Sequence, residues 1–304
     1  MAKLIGGMGM RFGVQPLQFL DVMRNIADGS SVDVSKFSFP DFCIASVAEG
    51  FHHVEVTMDI EHILPGSLTK DIFRKLIDLG ESLGITYSVH LPLWSVELAS
   101  PNPFVRKGSV DSIVHSISLA EELNPECYVI HITGALASEF TRLNIPRYFK
   151  EIVDRYMLSN SIRSLEEVFS KVDIPPRRIA VENVEFPFDL TKEAIDRFDL
   201  SICLDTGHLL AGFSGELSII DFIDKYYDRI VEIHLHDGYH RVEHGVTIRR
   251  DHLPLGEGDL PLGEFMNRLQ AREFRGPIVF ELSLRDSKKS LDVLKNLCPW
   301  ITIE

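Results

Sequence analysis

Six apolar runs in this 304-residue sequence end in a side chain able to ligate a metal or move a proton: Val89-His90, Ile130-His131, Val181-Glu182, Leu204-Asp205, Ile233-His234 and Phe280-Glu281. His208 follows Asp205 by three residues, and Gly207 between them gives the chain freedom to turn back toward the same point. His236 lies two residues beyond His234, and His252 further along the same segment. Taken singly, each histidine has an ordinary reading as a hydrogen-bonded loop residue. Glu182 and Glu281 are harder to dismiss, because a carboxylate in an apolar run is costly without a cationic partner. Together, a His/Asp/Glu set with no thiolate suits Zn²⁺, Mn²⁺ or Fe²⁺ better than Ca²⁺ or a structural zinc knot. Carboxylates bridging two ions, with histidines in the remaining positions, would support hydrolysis. One ion held by two carboxylates would instead polarise a sugar carbonyl or hydroxyl while a Glu shuttles protons.

Such chemistry needs elements that bring distant positions together. Strand-like runs occur at Met10–Val14, His53–Thr57, Thr86–Leu91, Cys127–Ile132, Arg178–Glu182, Leu200–Leu204, Ile230–Leu235 and Ile278–Leu282. Helical spacing fills the intervals: from Pro40-Asp41 to Glu49, then 69–83, 104–123, 147–170, 189–198, 217–227, 261–272 and 286–297. Residues 15–38 form an irregular excursion in which Phe19, Met23 and Ile26 suggest one further helix, and 237–260 reads as a long charged loop. Eight strand-then-helix units predict a parallel (β/α)8 barrel, one domain spanning 1–304, with the barrel proper at about 10–300. The C-terminal strand ends of such a barrel share one face, and the candidate ligands all fall there. Glu55 is expected to support that set from behind, and Glu232 is placed by alternation on the outer face against a helix. His52, His53, His62, His115 and His240 show no pattern and read as surface or packing residues, while Cys203 reads as core.

The bulk numbers narrow the function. A net charge of −14 argues against a sequence-independent grip on nucleic acid and against anionic membrane surfaces. It leaves room for a small phosphorylated substrate held by local arginines. The four cysteines are widely spaced, which points to a reducing compartment and no zinc ribbon. No secretion signal or spanning segment is evident, so a cytoplasmic protein is expected.

In order and context the motifs Val-His90-Leu-Pro, Ile-His131-Ile, Val-Glu182-Asn, Leu-Asp205-Thr-Gly-His208, Ile-His234-Leu-His-Asp237, His252-Leu-Pro-Leu-Gly-Glu-Gly258 and Phe-Glu281-Leu resemble the xylose-isomerase-like barrels, the superfamily that also holds the apurinic-site endonucleases (family 2). The resemblance implies that Glu182, Asp205, His234 and Glu281 hold one metal, with His90 and His131 as the extra ligands of the multi-zinc nucleases. It makes His208 and His252 ligands of a third zinc, or substrate contacts in single-metal relatives. One position departs: Arg250 stands where the nucleases carry an Asp, and the adjacent Asp251 is expected to point elsewhere. Arg250 then offers a phosphate-binding cation instead of a ligand, which weighs against a DNA-repair nuclease.

The reading that results is a metal-dependent hydrolase of a phosphoester or phosphoribosyl-type bond in a small molecule, using one to three ions of Zn, Mn or Fe. Glu182, Glu281 and His208 carry the chemistry, and Arg249, Arg250 and His236 contact substrate. The cobamide-remodelling phosphodiesterases are a branch of similar length that the chain resembles. The runner-up is a divalent-metal sugar or sugar-phosphate isomerase or epimerase, and a catalytically silent binding barrel ranks last. Oligomerisation is left open.

Overall fold

A computed structural model describes residues 9–15, 26–28, 31–32, 37–143 and 145–303. Eight parallel strands close into a barrel: β1 Phe12–Val14, β2 His53–Thr57, β3 Thr86–His90, β4 Tyr128–Ile130, β5 Ile179–Glu182, β6 Ser201–Asp205, β7 Ile230–His234 and β8 Ile278–Phe280. Each pairs with its sequence neighbours, and β1 shuts the ring against β8 with Phe12 opposite Ile278. The chain is therefore a (β/α)8 barrel, as its alternating pattern predicts.

Both faces of the strands are buried, which is why they read as nearly unbroken apolar runs. The two faces are not equivalent. On β4, Tyr128 and Ile130 join the large apolar layer between barrel and helices, whereas Val129, with Cys127 just before the strand, joins Ala180 and Cys203 in a small separate cluster. Much of the rest of the interior is polar, with His53, Glu55, Ser88 and Glu232 fully buried. Barrel interiors are more often filled by branched aliphatic side chains.

The helices start and stop where local chemistry directs. Thr69 accepts a hydrogen bond from the Ile72 amide at the head of Lys70–Leu83, and Gly84 ends that helix at φ +69°. Ser38 caps Phe39–Ala48 with a proline in its first turn. Ser283 caps the last helix, Leu284–Leu297, two residues earlier than expected. One-turn helices Asp59–Ile63 and Thr206–Leu210, too short to show periodicity, follow β2 and β6.

Two segments differ from expectation or fall outside it. The helix expected around Phe19, Met23 and Ile26 lies largely outside the described residues; next to it, Ala27–Asp28 pairs with Ser31–Val32 as a small antiparallel bridge. The charged stretch after β7 is no loop but an antiparallel hairpin, Asp237–Glu243 against Val246–Leu253. Its two-residue turn, His244 (φ +51°) and Gly245 (φ +79°), has the paired positive φ that matches strand twist in tight hairpins. Asp237 sits opposite Leu253 but Tyr239 sits opposite Arg250, so two residues, Asp251 and His252, face only Gly238. This bulge, with His252 at φ +51°, sets the direction of the side chains at the hairpin's base.

Candidate metal centre

Every strand from β3 to β8 delivers a ligand-type side chain at or just past its end, and these converge on Glu182. His90 Nε2 and His131 Nε2 lie 3.3 and 3.0 Å from Glu182 Oε2, with His234 Nδ1 at 3.4 Å. His208 Nδ1 approaches the other oxygen, Oε1, at 3.2 Å. His234 Nδ1 also lies 3.4 Å from Glu281 Oε1 and 3.9 Å from Asp205 Oδ2. Among the described residues several overlapping sets have ligand atoms within 4.8 Å of one another, and His236, His252 and Glu281 form one of them; three carry the argument here: His90, His131 and Glu182; Glu182, Asp205, His234 and Glu281; and His208, Asp251 and His252. Glu182 belongs to the first two.

The third set corrects one expectation. Asp251 does not point away: its Oδ2 lies 3.4 Å from His208 Nε2 and 3.3 Å from His252 Nδ1. Simple alternation along the strand turns it outward, but the bulge turns it toward the barrel rim. Arg250, one residue before it, is exposed and pairs by backbone with Tyr239. Arg249 instead stands over the Phe213 ring at 5.8 Å, in a cleft beside the centre. His236 is fully buried. Its Nδ1 accepts the His252 amide at 2.9 Å, so its Nε2 carries the hydrogen that meets Asp205 Oδ2 at 2.8 Å. The structure thus seats His236 behind Asp205, holding that carboxylate and the hairpin base together.

The surroundings fix each group. The Asn183 side chain accepts the Asp205 amide at 2.8 Å and donates to the Asp205 carbonyl at 2.9 Å. Asp205 Oδ1 caps the turn carrying His208 by accepting its amide at 2.6 Å. Gly207 is required here for space rather than for its backbone freedom: a Cβ there would lie 2.1 Å from His236 Nδ1. Below the rim, Glu55 Oε2 meets His234 Nε2 at 3.0 Å, and Gln15 donates to the other Glu55 oxygen. A carboxylate on the far nitrogen of an imidazole is a recurring support for metal-binding histidines. Glu232, expected outside, points into the barrel, where Ser88 donates to it at 2.8 Å and the Cys127 thiol at 2.7 Å. Glu232 stands two residues before His234 on the same strand, so the alternation that turns His234 into the barrel turns Glu232 inward with it.

Electrostatics make the rim costly as it stands. Burial opposes charge on His90 and His208, yet the carboxylates around them prevail and raise both to about 9: Glu182 first for His90, Asp205 first for His208. Burial likewise favours neutral Glu182 and Glu281, but the charges of His131 and His234 on the first, and of His234 on the second, hold both well below the ordinary carboxylate range. Two buried nitrogens, His208 Nδ1 and His234 Nδ1, have no partner in hydrogen-bond geometry although carboxylate oxygens crowd them. Close packing of acceptors and bare ring nitrogens, without linear hydrogen bonds, is what a divalent cation resolves. The donor set fits such an ion. His90 supports the fit: its Nδ1 lies 2.8 Å from the Leu91 carbonyl and donates to it, leaving Nε2 for the centre.

The profile of the xylose isomerase-like TIM barrel family matches residues 44–297. The chain belongs to that family. Among its relatives, the uncharacterized protein MJ1311 of Methanocaldococcus jannaschii is 26% identical over 306 residues, covering 94% of this chain and 88% of that protein. A probable endonuclease 4 of Aquifex aeolicus is 27% identical over 202 residues, covering 61% of this chain and 66% of the relative. A D-tagatose 3-epimerase-like protein shares the fold with a TM-score of 0.65 at 22% identity, over 96% of this chain and 98% of the other. The chain is thus similar in sequence to a probable endonuclease and in fold to an epimerase-like protein. Among the described residues no helix is long and apolar enough to cross a membrane.

Proposed function

We infer that this barrel is a divalent-metal-dependent hydrolase of a phosphoester in a small anionic molecule. The observation that carries the reading is the position of Glu182, shared between the His90–His131 set and the Asp205–His234–Glu281 set, with a third set at His208, Asp251 and His252. That arrangement has donors for more than one ion, and hydrolysis of phosphoesters uses ions in pairs. When bound, the ions supply Lewis acidity toward the phosphoryl oxygens. His90, His131, Glu182, Asp205, His234 and Glu281 would hold them, with His208, Asp251 and His252 as the outer set.

The chain's own groups do the rest. Glu55, Asn183 and His236 keep His234 and Asp205 in place, so little rearrangement is needed when substrate arrives. With the outer set unfilled, His208, partly exposed between Glu182 and Asp251, is instead placed to give a proton to a leaving oxygen. Glu281 meets both His234 and His252, at 3.4 Å each, and so couples the inner and outer sets.

The competing reading is sugar isomerisation or epimerisation, in which Glu182 and Glu281 flank the substrate as acid and base; the epimerase-like neighbour favours it. Elemental analysis of purified protein, alongside p-nitrophenol release from bis(p-nitrophenyl) phosphate with added Zn²⁺, Mn²⁺ or Fe²⁺, separates the two. Two or more ions per chain with turnover is the expected result. One ion per chain, no turnover and interconversion of ketoses would overturn it.

A further inference from the structure

Next to the metal centre lies an open cleft of about 1110 Å³, bounded by the hairpin, the turn after β6 and the helix Arg147–Phe169. Phe213 forms part of its floor, and its ring centre lies 5.9 Å from that of His208, so cleft and centre adjoin. The Arg249 guanidinium stands over the same ring at 5.8 Å. Lys150 reaches the cleft from the helix.

The charges here run against the rest of the molecule. The cleft carries three cations, Arg142, Lys150 and Arg249, and two carboxylates, Glu185 and Glu216. Arg142 is already committed: its Nε lies 2.8 Å from both oxygens of Glu185. Lys150 is felt by Asp154 one turn along its helix, yet neither it nor Arg249 forms an ion pair with a carboxylate among the described residues. Once Arg142 and Glu185 are paired, Lys150 and Arg249 stand against Glu216 alone, so in a chain of net charge −14 the cleft keeps one excess positive charge. An aromatic face beneath a guanidinium suits a flat group carrying an anion at its edge, since Arg engages carboxylate and phosphate oxygens in pairs.

We propose that this cleft binds a second anionic group, carboxylate or phosphate, carried on a flat apolar scaffold whose other end is the reacting ester. The identity of that reacting end rests on the hydrolase reading; the anion site itself does not. Arg249 and Lys150 grip the distal anion, Phe213 supports the scaffold, and His208 marks the boundary with the centre. Substrates with one anion lack half of this recognition.

The test is isothermal titration of the metal-loaded full chain with two probes, phenyl phosphate and 4-carboxyphenyl phosphate, which differ only in a distal carboxylate. The carboxylated probe is expected to bind about tenfold more tightly, an advantage that shrinks as salt is added. Arg249→Ala and Lys150→Ala should each remove most of that advantage, and Lys150→Arg should keep it. Equal affinity for the two probes, or a preference that survives both alanine variants, would overturn the proposal. The hydrolase reading is decided separately by p-nitrophenol release: preference without turnover keeps the cleft and discards the hydrolase, and turnover without preference does the reverse.

Discussion

The rim of the barrel and the interior just beneath it are both buried, polar and rich in histidine and glutamate, yet they behave in opposite ways. In the interior the hydrogen bonds close. His53 meets Thr86 Oγ1 at 2.8 Å and Ser88 Oγ at 3.0 Å, and Glu232 is satisfied by Ser88 and Cys127. At the rim they do not, and two histidine nitrogens are left without partners. The titration of the histidines follows the same division. Burial pushes His53 down to about 4 and keeps it neutral, whereas carboxylates push His90 and His208 up to about 9. A satisfied polar cluster is architecture; an unsatisfied one of the same composition is a place prepared for something else.

That contrast can be broken at several points. Glu182→Ala, which removes the carboxylate shared by the two inner sets, is expected to lower kcat/KM by on the order of a thousandfold or more. Metal content by elemental analysis should fall with it, and unchanged occupancy would count against a shared ligand. In the interior, His53→Ala should cost roughly 3 kcal/mol of unfolding free energy in urea, through two lost hydrogen bonds and a cavity. Its metal content should stay at the wild-type level.

His53 also sets a pH dependence. Its folded value of about 4 lies below the ordinary 6.5, so the unfolded chain binds the extra proton. Its contribution is present in full above pH 6.5 and is lost as pH falls toward 4, by an amount of roughly 3 kcal/mol. Urea midpoints measured across that window should slope less in His53→Asn than in the parent, and equal slopes would remove His53 as the cause. At the seam between the two regions, Glu55→Gln should weaken metal binding by about 10- to 100-fold in chelator competition while leaving the fold intact. An effect on stability alone would assign Glu55 to the interior.

Much of this was legible in sequence. The run His53–Thr57 reads as a strand with the same limits the structure gives it, and the ends of the other seven fall within about two residues. Doubly buried strands are apolar throughout, so a histidine or glutamate closing one stands out. What could not be read depended on register. Glu232 shares the face of His234 two residues on, a mark that its burial on a doubly covered strand made easy to overlook. Charge along 237–253 hid the alternation of a hairpin, although the His244-Gly245 pair was a turn signal. Asp251 reaches the rim only because 237–253 is a bulged hairpin, and a stretch that reads as a loop gives no direction for its side chains. Phe213 and Lys150, which line the anion cleft, carry no spacing that ties them to the strand ends.

The bulge has a consequence for how such a centre tolerates change. One unpaired residue in the hairpin lets an aspartate one step further along the polypeptide than Arg250 reach His208 and His252 at the rim. Position in a motif and position in three dimensions are thereby uncoupled at this one ligand. Deleting a single residue between Thr247 and Arg250 would be absorbed at the bulge and leave Asp251 at the rim, whereas the same deletion inside β5 would carry Glu182 to the opposite face.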